Sequence, residues 1–165
     1  MNVYRLIKHL ITPPWWVRRT FGAQTLHTIE NTVRETETRH GGQVRVAIEA
    51  ALDLGALVRG QSARERALEV FSNLRVWDTN ENNGVLIYLL LADRDVEIVA
   101  DRGIHQRVSP GTWEAVCQKM EAAFRAGEFE EGILAGVRAV SEELNRYFPR
   151  LGTKPNELPD APTVL

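Results

Sequence analysis

Six residues with carboxylate, amide or guanidinium side chains fall in two short stretches, Asp78, Glu81, Asn82 and Asn83 in one and Asp101 and Arg102 in the other. Carboxylates mixed with amide oxygens suit a hard, oxygen-seeking cation such as Ca²⁺ or Mg²⁺. Arg102 is the matching candidate for an anion, because a guanidinium presents parallel donors to a carboxylate or phosphate. The spacing is not that of an EF-hand loop, which needs oxygen ligands at alternate positions, then Gly and a distal Glu. The same residue types also build ordinary turns, where their side chains bond the local backbone. Both readings stand at this point.

Other chemistries find less support. The four histidines are far apart, with none at the short spacing that zinc sites use. No G-x-S-x-G is present, and Cys117 lies on the apolar stripe of a predicted helix, where packing explains it. Asp78-Thr79-Asn80 resembles the start of a phosphoaspartate motif, but that Asp belongs at the exit of a strand and this one precedes a strand. No nucleophile–base pair is recognisable, so catalytic residues are left unassigned.

The hydrophobic pattern says what must position these groups. Leu26, Ile29 and Val33 mark a helix over 24–39, supported by Glu30–Arg34 and Glu35–Arg39 pairs four apart and ended by Gly41-Gly42. Val44, Val46, Ile48 and Ala50 then alternate as a strand, with Gln43, Arg45 and Glu49 on its other face. Ser62 and Glu65 form a capping box opening a helix that breaks at the polar stretch 78–84. The apolar run Val85 to Ala92 reads as a strand covered on both faces, and Val96 to Ala100 as a third strand. Ser109-Pro110 starts a helix with the stripe Trp113, Val116, Cys117, Met120 and Phe124. Phe129 through Phe148 supplies the last helix, stopped by Pro149, and the Pro-rich remainder, 149–165, is either a mobile tail or an extended strap.

The order helix, strand, helix, strand, strand, helix, helix predicts an α/β domain, a small mixed sheet sandwiched between helices. The strand–helix–strand unit pairs in parallel and the third strand pairs antiparallel. With Asp93-Arg94 as a two-residue turn, cross-strand partners sum to 187. Leu86 then faces Asp101 and Val85 faces Arg102. That register brings Asp101 and Arg102 beside Asn82 and Asn83. The parallel first strand adds His40 to the same sheet edge, and His105 follows closely.

The overall balance bounds the remaining possibilities. The chain has 165 residues, one cysteine and a net charge of −2. This is one domain without a disulfide framework, and its balance argues against a nucleic-acid partner. No run is long enough to span a bilayer, and Lys8 and His9 interrupt any signal-peptide core. The expectation is a soluble cytoplasmic protein. Its charge is uneven: residues 1–29 contain Arg5, Lys8, Arg18 and Arg19 and no acid, giving +4 and leaving −6 for the rest. With Trp15 and Trp16, residues 1–21 form a basic aromatic arm. Its composition suits a membrane surface, peripheral to the inner membrane face, or a protein partner. The alternative is an arm that packs Leu6, Leu10 and the Trp pair onto its own domain, 22–148.

Several stretches together resemble the TPM domain: Gly42-Gln43-Val44-Arg45-Val46-Ala47-Ile48, Asn82-Asn83-Gly84-Val85-Leu86, Asp95 through Ile104, and Phe124-Arg125-Ala126-Gly127-Glu128-Phe129 with Gly132-Ile133. The resemblance covers about residues 25–148. TPM domains occur in thylakoid-lumen proteins linked to photosystem II repair, in an acetylcholine-receptor modulator and in many bacterial proteins. The resemblance implies a small α/β sandwich, divalent-metal binding at the sheet edge, weak acid-phosphatase activity, and accessory roles for membrane complexes. Asp101-Arg102 stands where the family often has Gly, which replaces an anion-cradling backbone with side-chain charge.

Overall fold

The computed structural model describes residues 3–165. The elements are α1 (Val3–Leu10), α2 (Trp15–Thr20), α3 (Ala23–Glu37), β1 (Gln43–Glu49), α4 (Leu54–Val58), α5 (Ala63–Asn73), β2 (Gly84–Leu90), β3 (Asp95–Ala100), α6 (Arg102–His105), α7 (Pro110–Arg125), α8 (Phe129–Tyr147) and β4 (Thr163–Val164). The strands form one sheet in the order β3-β2-β1-β4. β2 and β4 both run parallel to β1, and β3 runs antiparallel to β2. The expected α/β sandwich is present, with four short helices and an edge strand added to it.

Period-two alternation sorts the strand side chains into two cores. Val44, Val46, Ile48, Val85, Ile87 and Leu89 meet α3, α7 and α8 through Ile29, Val33, Trp113, Met120, Phe124, Ile133, Val137 and Leu144. Ala47, Leu86, Tyr88, Leu90 and Val99 meet α4 and α5 through Ala56, Leu57, Ala67 and Val70. Every residue of β2 is buried, as its continuous apolar run requires. Burying one such Leu or Ile is worth roughly 1.5–3 kcal/mol, so covering both faces of the central strand is a large share of the driving force.

β1 departs from a simple apolar-in, polar-out strand, because its polar face is also covered. The Glu49 carboxylate accepts from Arg66 through Nε (2.9 Å) and Nη2 (3.0 Å) and from the Tyr88 hydroxyl (2.7 Å). The covering element over Gln43 and Arg45 is the C-terminal strap. Gln43 Oε1 accepts the backbone N–H groups of Glu157 (2.9 Å) and Leu158 (2.8 Å). The Arg45 guanidinium donates to the carbonyls of Pro159 and Ala161 and to Thr163 Oγ1. Leu158 joins the second core, and β4 adds to the sheet edge.

The hairpin register differs from expectation. Val85 pairs with Ala100 and Leu86 with Val99, so partners sum to 185, not 187. The connection is Leu91-Ala92-Asp93-Arg94, with Arg94 in the left-handed region at φ 53°. Leu91 and Ala92 still donate to Glu49 and Ala50 carbonyls of the neighbouring chain segment, each at 2.9 Å. The apolar run thus outlasts the pairing with β3 because the parallel side continues further. A two-residue slip keeps every side chain on its face.

Candidate functional site

The site lies at the N-terminal ends of the parallel strands β1 and β2, where β3 ends. Two glycines allow the segments to meet. A Cβ on Gly84 would lie 2.0 Å from the Val76 carbonyl oxygen, and one on Gly103 would lie 2.5 Å from the carbonyl oxygens of both Glu81 and Asn82. The Gly103 N–H donates to the Asn82 carbonyl at 2.8 Å, and the Asp101 N–H to the Gly84 carbonyl at 2.9 Å. Asn82 takes φ 51°, a conformation Asn tolerates better than most side chains. The segment 81–83 and the segment 101–103 are thereby locked side by side.

Within this junction two oxygen acceptors are buried without a partner. Asn83 is 1% exposed; its Nδ2 donates to the Gly41 carbonyl (3.1 Å) and to Glu81 Oε2 (3.2 Å), while Oδ1 has no donor. Asp101 is 9% exposed; its Oδ1 accepts the Arg102 N–H at 2.7 Å, while Oδ2 has no donor. Unsatisfied buried acceptors are uncommon and each costs about 1–3 kcal/mol, so they call for a donor or a cation.

The remaining predicted residues divide. Glu81 is exposed and forms an ion pair with Lys154 of the strap. Arg102 is exposed beside Asp101. Asp78 is exposed at the far end of its loop, with its backbone N–H on the Arg75 carbonyl at 2.9 Å. His105 lines a different feature, a groove of about 540 Å³ between β3 and α7. Among the described residues no group of three or more His, Cys, Asp or Glu side chains is placed to hold a metal ion. The unpartnered oxygens are one amide and one carboxylate, Asn83 Oδ1 and Asp101 Oδ2, and Glu81 lies against Asn83 through Nδ2. That chemistry fits Ca²⁺ or Mg²⁺, which accept amide and carbonyl oxygens, and not zinc.

Behind the junction are two groups whose burial the sequence did not signal. His40 is 2% exposed; Nδ1 donates to the Gly42 carbonyl at 3.2 Å, and Nε2 is buried without a partner. Burial lowers its pKa to about 4, and Arg39 and Arg150 add to the effect. Glu37 accepts the Val44 N–H at 2.7 Å, yet burial pushes its carboxyl up to about 8. A His before Gly41-Gly42 and a Glu at a helix end both read as surface residues until the strap covers them.

The TPM domain model matches residues 18–143. The chain belongs to the TPM domain family. Among solved structures, the BA42 protein of the psychrophilic bacterium Bizionia argentinensis is 29% identical, with a TM-score of 0.75 over 87% of this chain and 94% of that one. The N-terminal domain of a P. gingivalis protein, 19% identical, shares the fold with a TM-score of 0.60 over 83% of this chain and 90% of that one. No curated protein matches. The TPM match spans the residues that build the junction, from His40 to Gly103. It begins at residue 18, inside α2, so it takes in Phe21 and leaves out Val17.

Proposed function

We propose that this TPM domain is a non-catalytic accessory module that binds a divalent cation, Ca²⁺ or Mg²⁺, at the β1–β2–β3 edge. Its second working surface is the basic aromatic arm, which supports a membrane-associated complex. The observation that carries the cation reading is the pair of buried, donor-free oxygens, Asn83 Oδ1 and Asp101 Oδ2, on adjoining strand ends. A cation there would turn two unsatisfied acceptors into ligands, with Glu81 available once Lys154 swings away. Amide resonances of 78–83 and 101 should shift in a Ca²⁺ or Mg²⁺ titration, and Asp101→Asn should weaken the response about tenfold. No shift at millimolar cation refutes the site.

One observation favours a second reading, metal-assisted hydrolysis of phosphomonoesters. The exposed Arg102 adjoins Asp101, so an anion held by the guanidinium would lie next to the cation-binding oxygens. Release of p-nitrophenol from its phosphate ester, compared between wild type and Arg102→Ala, tests it. Equal rates refute this reading.

A further inference from the structure

Helix α1 is attached to the body by Leu6, which packs against the second core, and by the polar side chains of Arg5 and His9. His9 is buried, its Nδ1 accepting the Leu52 N–H at 2.9 Å and its Nε2 lying 3.1 Å from Asp93 Oδ2. Arg5 donates to Asp93 Oδ2 (2.8 Å) and to the Gln61 carbonyl (2.7 Å). Val17 and Phe21, fully buried in the main core, fix α2 and the chain beyond it. Leu6 apart, the anchored side of α1 is therefore polar, the side a water-facing helix normally turns outward.

What it turns outward instead is apolar. Val3, Tyr4, Ile7, Leu10, Ile11, Trp15 and Trp16 are 40–69% exposed. Val3, Ile7, Leu10 and Ile11 follow the 3.6-residue period along one stripe. Large exposed apolar patches rimmed by charge mark interaction surfaces. The arm's own charges have one sign, with Lys8, Arg18 and Arg19 and no acid in residues 1–29, while the acid that meets α1, Asp93, is paired with Arg5 on the anchored side.

We infer that this stripe seats in the headgroup layer of an anionic lipid bilayer, with Tyr4, Trp15 and Trp16 at the interface and Lys8, Arg18 and Arg19 over the lipid charges. The inference rests on reading the arm as a docking segment and commits it to lipid. One-sign charge complements an anionic surface and opposes the pairing of two arms from separate copies. Trp and Tyr beside Lys and Arg is the interfacial composition. Among the described residues no helix is long and apolar enough to cross a membrane, so the contact is with the surface. The face is held rigid by its polar anchors, so docking needs no ordering of the arm.

Sedimentation with vesicles of phosphatidylcholine alone, and of phosphatidylcholine with phosphatidylglycerol, tests the inference. The full chain should partition onto the anionic vesicles, at least tenfold more than onto neutral ones, and raised salt should weaken it. Ile7→Glu/Ile11→Glu should reduce the partition at least tenfold with the unfolding midpoint unchanged, since both positions face solvent. Failure to sediment with either vesicle overturns the inference, and so does equal binding by the double variant, which would leave charge alone at work. Acrylamide quenching of wild type against Trp15→Phe/Trp16→Phe in buffer separates the two levels. An open, quenched Trp pair without vesicle binding leaves a docking arm with a protein partner. A shielded pair removes the docking segment itself.

Discussion

Acidification should destabilise this domain through His40. The imidazole donates from Nδ1 to Gly42, so protonation places the new proton on Nε2, which is buried and has no acceptor, near Arg39 and Arg150. The folded pKa is about 4 against an ordinary 6.5. Between those values the unfolded chain binds the proton and the folded chain does not, so stability falls as pH falls. Linkage puts the loss at about 2 kcal/mol between pH 7.5 and 5, and about 3.4 kcal/mol once pH is well below 4. Glu37 acts oppositely, since its carboxyl is raised to about 8 and stability falls as pH rises from 4.5 toward that value. A comparison of two proteins that both keep Glu37 cancels this contribution. His40→Asn retains a donor for Gly42 and removes the titration. Urea unfolding of wild type and variant at pH 7.5 and 5 is the assay. Wild type should lose about 2 kcal/mol more than the variant over that interval. Equal losses would refute the burial argument for His40.

Two further outcomes follow from the geometry of the site. Gly103→Ala places a methyl 2.5 Å from two carbonyl oxygens, so it should cost about 1–3 kcal/mol by overpacking and weaken Ca²⁺ binding, read by thermal unfolding and by the amide titration. Lys154→Gln removes the ammonium that occupies Glu81, so Ca²⁺ affinity should rise about 3- to 10-fold by calorimetry; unchanged affinity would mean Glu81 is not a ligand.

What could be read from the sequence is what side-chain periodicity controls. Val44, Val46 and Ile48 alternate because one face of β1 meets α3 and α8, and the continuous run of β2 reflects cover on both faces. Periodicity does not set where a hairpin turns. Leu91 and Ala92 are apolar and bonded to the β1 side while already outside the pairing with β3, so a turn placed at Asp93-Arg94 shifted the register by two. The strap shows no period because polar side chains hold it by its backbone: Gln43 and Arg45 take its N–H and carbonyl groups. A Pro-rich segment bound this way looks the same in sequence as one that is free.

The candidate site shows the same division in its chemistry. Residue type singled out Asp78, Glu81, Asn82, Asn83, Asp101 and Arg102 without ranking them. Burial ranks them. Asp78 keeps its carboxylate in water and Glu81 has an ammonium partner, so neither has a deficit for a ligand to fill. Asn83 and Asp101 do, because each sits where a strand ends. There one side-chain atom, Asn83 Nδ2 or Asp101 Oδ1, satisfies the local backbone or a neighbouring loop, and the other atom, an oxygen in both, is left inside the junction. The composition of a polar loop therefore names the class of ligand, while the strand ends decide which two residues would hold it. A double substitution, Asn83→Ala with Asp101→Ala, should abolish the cation response that either single change only weakens, because on the proposed reading one ion would lose both of these oxygens.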